Sequence, residues 1–484
     1  MENKVKNIFY VASECQPFFA SGGLGDVVGS LPQRIVKQSK GEYQVSVILP
    51  LYTLRVNSKY YNKLVYVGQT MVKLSWRNQY CGIYKYEEAG VKFYFVDNEY
   101  YFKRSNFYGY FDDAERFAFF SKAAIEVMIY LNEIPDIIHT HDWQTGMLPV
   151  YLRTLFYNDE RFKNVKTVFT IHNIEYQGKY SFDDDIVEDV FGISMNDAHI
   201  FEYQGLINIM KGAMEASNIV STVSPTYAEE IETPEYAHGL EYQVARAKAE
   251  GKLLGILNGI DKNFYNPAKD DALFVKYDKN QIENKVQNKL ELQKMLALPV
   301  DENIPMIGMV TRIVYHKGIE YIKNIFNELM KENVQLVLLG TGDSYYEGYF
   351  KDMENKNPTK VRAIIAYNQD LSRKIYGSSD FFLMPSQSEP CGLSQMIASR
   401  YGTIPVVRET GGLKDSIKPF CGKKGNGYTF KGANSNDLLV TLQQAVKDYQ
   451  DKELHLDHID RVIKTDFGWS ASAKSYIEMY KKIS

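Results

Sequence analysis

The feature that most constrains the fold is an alternation of short apolar runs with longer helical patterns, repeated in both halves of the 484-residue chain. The runs are apolar on both sides, as strands buried within a parallel sheet must be. The predicted strands are Asn7–Ser13, Gln44–Pro50, Val91–Asp97, Asp136–His141, Val165–His172 and Ile219–Ser224, then Met306–Arg312, Val334–Gly340, Val361–Tyr367, Asp380–Ser386 and Ile404–Glu409. This order predicts two doubly wound α/β domains.

A break in the pattern near residue 256 predicts the junction of the two domains. Asn258-Gly259 interrupts regular structure there, and Asn266-Pro267 follows. We therefore predict an N-terminal domain over residues 1–255 and a C-terminal domain over residues 256–468.

Two further segments carry helical patterns. Residues 271–300 are charged and rich in Lys, Asn and Gln, which indicates an exposed helix leading into the second domain. The tail, Trp469–Ser484, is predicted to form one amphipathic helix with Ala473, Tyr476, Ile477 and Tyr480 on one face.

Composition excludes several classes of function. Hydrophobic residues make up 45%, charged residues 24%, and the net charge is -4, which is typical of a soluble globular protein that does not bind nucleic acid. The four cysteines form no Cys-x-x-Cys pair, so no zinc ribbon or disulfide scaffold is predicted. The apolar run Ile8–Ala12 is too short for a signal peptide, and no longer run suggests a membrane span. We expect a cytoplasmic protein without a membrane partner, and the sequence leaves its oligomeric state open.

A glycine-rich loop follows the first predicted strand. Its sequence is Ser21-Gly22-Gly23-Leu24-Gly25-Asp26, and a helical pattern begins at Val27. Such a loop either brings backbone N–H groups to an anion at a helix N-terminus or simply makes a tight turn. Its spacing is not G-x-G-x-x-G, and no suitable acidic residue ends the second strand, so a dehydrogenase is a poor fit.

The second half offers positive charge and another glycine loop. Arg312 ends the first strand there, and Lys317 stands where the next helix should begin, a position that favours a nearby anion. Together they suit a diphosphate, although two solvated charges are the alternative. Thr410-Gly411-Gly412-Leu413 follows another strand and is able to offer N–H groups. Tyr367 ends its strand, where it can stack on a base or pack in the core.

Glu389 is the carboxylate that we single out. It begins Glu389-Pro390-Cys391-Gly392-Leu393, which directly follows the strand Asp380–Ser386, and a helix is expected from Gly392. Ligands of open α/β sheets lie beyond the carboxyl ends of strands. Loss of a diphosphate from a sugar needs a negative group near the anomeric carbon and cations near the phosphates. Glu389 with Arg312 and Lys317 supplies that combination, against the simpler interpretation of a solvated glutamate.

Six motifs together resemble those of bacterial glycogen synthases and plant starch synthases, in the same order along almost the whole chain. They are the loop Ser21–Asp26, His139-Thr140-His141-Asp142-Trp143-Gln144-Thr145, Thr170-Ile171-His172-Asn173, Arg312 with Lys317, Glu389-Pro390-Cys391-Gly392-Leu393 and Thr410-Gly411-Gly412-Leu413. The resemblance implies the GT-B fold, in which two Rossmann-like domains face a deep cleft and the last helix, 469–484, returns to the first domain. It also implies transfer of glucose from ADP-glucose, or UDP-glucose, to the non-reducing end of an α-1,4-glucan with retention of configuration, without metal or cofactor.

The resemblance also assigns roles by position. Arg312 and Lys317 would bind the donor diphosphate, Glu389 would face the reacting carbon, His172 would orient the sugar, and Asp142 would lie where donor and acceptor meet. The remaining nucleotide-sugar contacts that it implies are Ser21, Gly22, Gly23, Asp26, Asn258, Tyr367, Gly392, Leu393, Thr410, Gly411 and Gly412.

Two positions distinguish this chain from relatives. Many related glycosyltransferases have a second glutamate where Ile397 stands, as a simple double displacement would require; its absence agrees with glycogen synthases. The family usually has lysine two residues before the Gly-Gly pair, where this chain has Ala20. Without that cation three alternatives are open. Another basic residue compensates, the enzyme prefers a different donor, or the enzyme is slow.

Several alternatives follow. A homologue that binds glucan or nucleotide sugar without efficient transfer would also fit Ala20, whereas a pyridoxal phosphate phosphorylase would need a recognisable Schiff-base lysine. His139 and His141 share one side of a strand but lack further metal ligands. Asp183–Asp185 is better explained as a solvated helix start than as a metal motif.

Overall fold

The computed structural model describes residues 5–484 and divides into two compact units. The first unit contains the chain up to Asn258 together with Trp469–Ser484, and the second contains Gly259–Gly468. The sequence predicts the boundary after residue 255, slightly before this division.

The first unit is built around a nine-stranded sheet. Its strands, with the short strands β8, β9 and β10 that form a separate sheet, are β1 (Lys6–Val11), β2 (Tyr43–Pro50), β3 (Val65–Leu74), β4 (Arg77–Glu88), β5 (Val91–Asp97), β6 (Ile137–His141), β7 (Lys166–Ile171), β8 (Lys179–Ser181), β9 (Glu202–Tyr203), β10 (Leu206–Asn208), β11 (Ile219–Thr222) and β12 (Leu253–Gly255). The order of the main sheet is β12-β11-β7-β6-β1-β2-β5-β4-β3. Strands β12 to β5 are parallel, and β4 and β3 add an antiparallel edge.

Helices of the first unit connect and cover these strands. They are α1 (Gly23–Gln38), α2 (Ser58–Tyr61), α3 (Glu99–Phe102), α4 (Asp113–Tyr130), α5 (Met147–Arg153), α6 (Ile209–Ala216), α7 (Pro225–Glu230), α8 (Pro234–Ala237) and α9 (Glu241–Ala249). The strand order reverses at β1, which lies between β2 and β6, and this reversal is where open α/β sheets bind ligands.

The second unit contains one six-stranded sheet that is parallel throughout. Its strands are β13 (Met306–Val310), β14 (Gln335–Gly340), β15 (Val361–Ile365), β16 (Phe381–Met384), β17 (Ile404–Arg408) and β18 (Tyr428–Phe430). Their order, β15-β14-β13-β16-β17-β18, is that of a Rossmann sheet and reverses between β13 and β16. Each half of the chain therefore forms a doubly wound α/β domain, as the sequence predicts.

The helices of the second unit are α10 (Asn284–Met295), α11 (Ile319–Leu329), α12 (Ser344–Lys356), α13 (Gln369–Ser378), α14 (Ser394–Arg400), α15 (Gly411–Ser416), α16 (Ser435–Tyr449) and α17 (Lys452–Lys464). The last helix of the chain, α18 (Ser470–Ile483), belongs to the first unit. The predicted apolar face of the tail is confirmed, because Ala473, Tyr476, Ile477 and Tyr480 are all buried in α18.

The predicted exposed helix within 271–300 is wrong in one respect. Helix α10 does form there, but Lys289 and Gln293 are buried. The ammonium of Lys289 lies 2.7 Å from the carboxylate of Asp380, and the amide of Gln293 donates to the side chain of Gln335. The sequence does not predict this buried face because its residues are polar. Polar side chains are buried here because each has a hydrogen-bond or ion-pair partner.

Candidate active site

In the second unit, Lys317 and Glu389 meet at the reversal between β13 and β16. The ammonium Nζ of Lys317 lies 2.7 Å from Oε2 and 2.9 Å from Oε1 of Glu389, and the hydroxyl of Ser386 donates to Oε2 at 2.9 Å. Glu389 is 6% exposed. The two charges that the sequence singles out therefore form one ion pair inside the site.

Close backbone contacts hold the loops around this pair. Gly318 has φ of +76°, and a Cβ there would lie 2.0 Å from the carbonyl oxygen of Pro385. Gly411 has φ of +42°, and a Cβ there would lie 2.0 Å from the carbonyl oxygen of Glu389. Glycine is thus required at both positions for conformation and for space. It lets the loops after β13, β16 and β17 approach one another.

The loop after β17 offers fewer N–H groups than the sequence predicts. The N–H of Gly412 donates to the carbonyl oxygen of Glu389, that of Leu413 to Thr410, and that of Thr410 to Arg408. Helix α15 starts at Gly411, as expected, whereas α14 starts at Ser394 rather than Gly392, with Leu393 as its N-cap residue. These bonds fix the loop against Glu389 and leave little of its backbone for an anion.

Arg312 and Tyr367 lie outside this compact centre. Arg312 stands beyond the end of β13 and is exposed, and no hydrogen bond or ion pair within residues 5–484 joins it to Lys317 or Glu389. Tyr367 follows β15 and is 86% exposed, so the alternative that it packs in the core is wrong. Both side chains are accessible at the carboxyl edge of the sheet.

In the first unit, the glycine loop is bound by Glu14, which is 3% exposed. The carboxylate of Glu14 accepts hydrogen bonds from the N–H of Ser21, the hydroxyl of Ser21, the N–H of Gly22 and the hydroxyl of Tyr108. Helix α1 begins at Gly23, earlier than the predicted start at Val27. The N–H groups of Ser21 and Gly22, which the sequence suggests for an external anion, thus bind the protein's own carboxylate.

Asp142 and His172 are brought together at the ends of β6 and β7. Oδ1 of Asp142 accepts the backbone N–H of His172 at 2.7 Å, and Asp142 itself has φ of 54°. Burial raises the pKa of Asp142 to about 7, a rise that hydrogen bonds from His172 and Asn173 oppose and the nearby charge of Glu14 reinforces. Burial lowers the pKa of His172 to about 3. The imidazole of His172 is therefore neutral at physiological pH.

The remaining predicted residues occupy varied surroundings. Asp26 lies in the first turn of α1, where a carboxylate is favoured by the helix dipole. Asn258 is 6% exposed, and its buried Oδ1 has no hydrogen-bond partner in the part of the chain that the structure describes. Gly392 has φ of +67° and lies against the side chain of Gln395.

Three polar residues of these sites were missed by sequence reasoning. Glu14 holds the glycine loop, Ser386 holds Glu389, and the imidazole of His141 contacts that of His172 at 3.0 Å. Ser386 and Glu389 stand three positions apart in the sequence, and this short spacing is the signal that connects them.

Alternative sites receive little support from the structure. Across residues 5–484, no cluster of three or more His, Cys, Asp or Glu side chains is arranged to hold a metal ion. Asp183–Asp185 is exposed where a helical turn begins, in agreement with its prediction as a solvated helix start. In the same described range, no helix is long and apolar enough to cross a membrane.

Both halves of the chain match known protein families. Residues 7–246 match the starch synthase catalytic domain family, and residues 291–461 match the family of glycosyl transferases group 1. The chain is 45% identical to the glycogen synthase of Alkaliphilus metalliredigens over 98% of this chain and 99% of that protein. It is 44% identical to the glycogen synthase of Clostridioides difficile, with coverage of 98% and 99%.

Comparison with solved structures agrees with these sequence matches. The catalytic domain of starch synthase IV from Arabidopsis thaliana, determined with ADP and acarbose bound, superimposes with a TM-score of 0.88 at 33% identity and covers 99% of each chain. Sucrose-phosphate synthase from Thermosynechococcus elongatus superimposes with a TM-score of 0.61 at 15% identity and so shares the fold alone. The chain has the GT-B architecture, is a glycosyltransferase, and belongs to the glycogen synthase and starch synthase family.

Proposed function

We propose that this protein transfers glucose from ADP-glucose to the non-reducing end of an α-1,4-glucan with retention of configuration. The observation that carries the proposal is the Lys317–Glu389 pair, which places an ammonium and a carboxylate 2.7 Å apart at the ligand-binding edge of a Rossmann sheet. A reaction that separates a sugar cation from a diphosphate anion needs this combination. ADP is favoured over UDP because the 33% identical starch synthase was solved with ADP.

Lys317 can interact with the carboxylate of Glu389 and with the donor diphosphate at the same time. An ammonium has three N–H donors, and two of them are directed at Oε1 and Oε2 of Glu389. We infer that the third donor binds the departing diphosphate, joined by the exposed guanidinium of Arg312. Tyr367 would stack on the base, and Gly411 and Gly412 would lie beside the phosphates.

We assign Glu389 as a stabiliser of positive charge rather than a nucleophile. Both of its oxygens accept hydrogen bonds, from Lys317 and Ser386, which lowers the nucleophilicity of the carboxylate. The place of a second carboxylate is taken by Ile397, which is 5% exposed and packed in the core. Departure and attack on one face of the sugar would retain configuration without a covalent intermediate.

The first unit supplies its own set of residues to the reaction in this proposal. His172 would orient the donor sugar, and Asp142 would act where the acceptor hydroxyl arrives. Ser21, Gly22, Gly23 and Asp26 would line the site through the start of α1, and Asn258 would contribute its unpartnered amide oxygen. Gly392, Leu393 and Thr410 complete the proposed nucleotide-sugar contacts of the second unit.

The donor and the alternative of an impaired homologue are tested together. Initial rates of glucose incorporation into glycogen are measured with ADP-glucose and UDP-glucose at matched concentrations. We expect kcat/KM for ADP-glucose to exceed that for UDP-glucose by about tenfold or more, equivalent to about 1.4 kcal/mol. Faster transfer from UDP-glucose would reverse the donor assignment. Binding of glycogen with no transfer from either donor would favour the impaired homologue, for which Ala20 is the observation.

A further inference from the structure

Two buried imidazoles, those of His139 and His141, lie next to His172, the proposed sugar-orienting residue of the first unit. His139 and His141 come from β6, are both 0% exposed, and stack with ring centroids 4.2 Å apart. Nδ1 of His141 lies 3.0 Å from Nε2 of His172. His139 has different partners, Tyr480 at Nδ1 and Thr170 at Nε2.

All three rings are neutral. Burial lowers the pKa of His172 to about 3 and lowers those of His139 and His141 well below the ordinary value for histidine. A neutral imidazole carries one N–H and one bare nitrogen, so the contact between His141 and His172 admits only two proton arrangements. Either His141 donates from Nδ1, or His172 donates from Nε2.

The other ring nitrogen of His141 distinguishes these arrangements. Nε2 of His141 is fully buried and has no hydrogen-bond partner among residues 5–484. If His172 donated, His141 would carry its proton on this nitrogen as an orphaned buried N–H, which is a rare defect in folded proteins. If His141 donates from Nδ1, the unpartnered atom is a bare nitrogen.

We propose that His141 is a positioning residue that donates from Nδ1 to Nε2 of His172 and so places the single ring proton of His172 on Nδ1. That Nδ1 makes no hydrogen bond within residues 5–484 and is not among the fully buried unpartnered atoms. His172 then presents an N–H donor, rather than an acceptor, to an oxygen of the sugar. This inference deepens the proposed function and rests on it for the identity of the ligand.

The tautomer is observable without any activity. The protein is labelled with 15N at its 8 histidines, and two-bond 1H–15N spectra distinguish protonated from bare ring nitrogens, with the His172→Gln variant used to assign His172. We expect His172 to be neutral at pH 7 with its proton on Nδ1. A neutral His172 with its proton on Nε2 would overturn the proposal, whether or not the protein proves to be a glucosyltransferase.

Kinetics of three variants separate positioning from packing alone. His141→Leu removes the donor, whereas His141→Asn keeps an amide N–H near the position of Nδ1. His139→Leu is the matched control, because His139 is an equally buried histidine of β6 that does not touch His172. We expect kcat/KM for ADP-glucose to fall about 10- to 100-fold in His141→Leu, on the scale of lost orienting partners, and to recover to within about threefold of wild type in His141→Asn.

Two outcomes would contradict this expectation. Equal losses of kcat/KM in folded His141→Leu and His139→Leu would show that packing of the buried rings, and not the hydrogen bond to His172, affects activity. Full activity of His141→Leu would show that the contact between His141 and His172 has no effect on activity. If His141→Leu fails to fold, the spectrum of the wild-type protein still decides the tautomer.

Discussion

At the scale of single residues, Ala20 stands where the family resemblance leads us to expect a lysine. The side chain of Ala20 packs against Gly25, and the adjacent N–H of Ser21 donates to the carboxylate of Glu14. The carboxylate of Glu14 thus binds this loop, and position 20 contributes no positive charge beside it. The positive charge that faces the diphosphate in our proposal comes from Arg312 and Lys317.

Introducing a cation at position 20 should improve the enzyme. We expect Ala20→Lys to raise kcat/KM for ADP-glucose by about tenfold or more. The upper limit is set by the contribution of one electrostatic donor to an anion, about 2.7–4 kcal/mol, or about 100- to 1,000-fold. Ala20→Met, which has similar length but no charge, is the control and should not raise it. A gain in Ala20→Met equal to that in Ala20→Lys would show that charge is not the cause.

Asp142 predicts a pH dependence near neutrality. Its pKa of about 7 means that the ionised carboxylate, which accepts the N–H of His172, is lost as pH falls through that value. We expect kcat/KM to fall about tenfold per pH unit below about 7. A profile of wild type that is flat between about pH 6 and 8 would contradict it, and Asp142→Asn should lack the step.

Stability should change in the opposite direction. The pKa of Asp142 is raised above its ordinary 3.8, so its favourable contribution to the free energy of unfolding is present below about pH 4 and is lost as pH rises through about 7. The difference in free energy of unfolding between wild type and Asp142→Asn, from urea titrations at several pH values, isolates this contribution from the buried histidines.

Sequence motifs single out Lys317 and Glu389 but do not show that the two side chains pair. Lys317 and Glu389 are far apart in the chain, and only the sheet order brings them within 2.7 Å. The sequence carries no signal for the role of Glu14, whose carboxylate accepts hydrogen bonds from the N–H groups of Ser21 and Gly22. Such hydrogen bonds depend on loop conformation, for which the residue pattern carries no signal.

At the scale of elements, the buried strands were the most predictable part of the fold. Each predicted run corresponds to a parallel strand because a continuous apolar sequence has few alternatives. The hairpin of β3 and β4 was missed, since its outer strand is largely exposed and its composition is mixed. Helix α10 was found, but its buried polar face depends on partners such as Asp380.

The start of α11 offers a test of how tightly the loops of the second unit are built. Gly318→Ala would drive a Cβ to 2.0 Å from the carbonyl of Pro385 in a left-handed conformation. We expect it to lower the free energy of unfolding by more than about 1 kcal/mol and to lower activity by displacing Lys317.

Gly348 in α12 provides the matched control for Gly318. Among residues 5–484, nothing outside the helix's own backbone lies within 4 Å of a Cβ at Gly348, so Gly348→Ala should stabilise by about 0.5–1 kcal/mol and leave activity unchanged. Denaturant titrations and rates of both variants check this. A Gly318→Ala variant as stable and active as Gly348→Ala would refute the close loop contact.

At the scale of the whole molecule, the first unit is completed by the far end of the chain. Helix α18 buries Tyr476, Ile477, Met479 and Tyr480 in that unit. The hydroxyl of Tyr480 forms hydrogen bonds with the hydroxyl of Tyr10 and with Nδ1 of His139. Burial of each large side chain contributes about 1.5–3 kcal/mol, so the helix supplies a large part of a typical stability of about 5–15 kcal/mol.

Truncation after residue 468 should therefore unfold the first unit while the second persists. Limited proteolysis followed by mass spectrometry would show rapid cleavage before residue 258 and protection within 259–468. Removal of only residues 482–484 is the control and should leave both units protected. Equal protection of both units in the longer truncation would contradict the role of α18.

The central claim is that Glu389 supports transfer of glucose from ADP-glucose to an α-1,4-glucan. The most direct measurement is incorporation of radiolabelled glucose from ADP-glucose into glycogen by wild type and Glu389→Gln, with Glu320→Gln, which breaks a different lysine ion pair, as control. We predict labelled polymer whose label an exo-acting α-1,4-glucan hydrolase releases, and a loss of about 100- to 1,000-fold in Glu389→Gln alone. No labelled polymer from wild type, or near wild-type transfer by Glu389→Gln, would contradict the account.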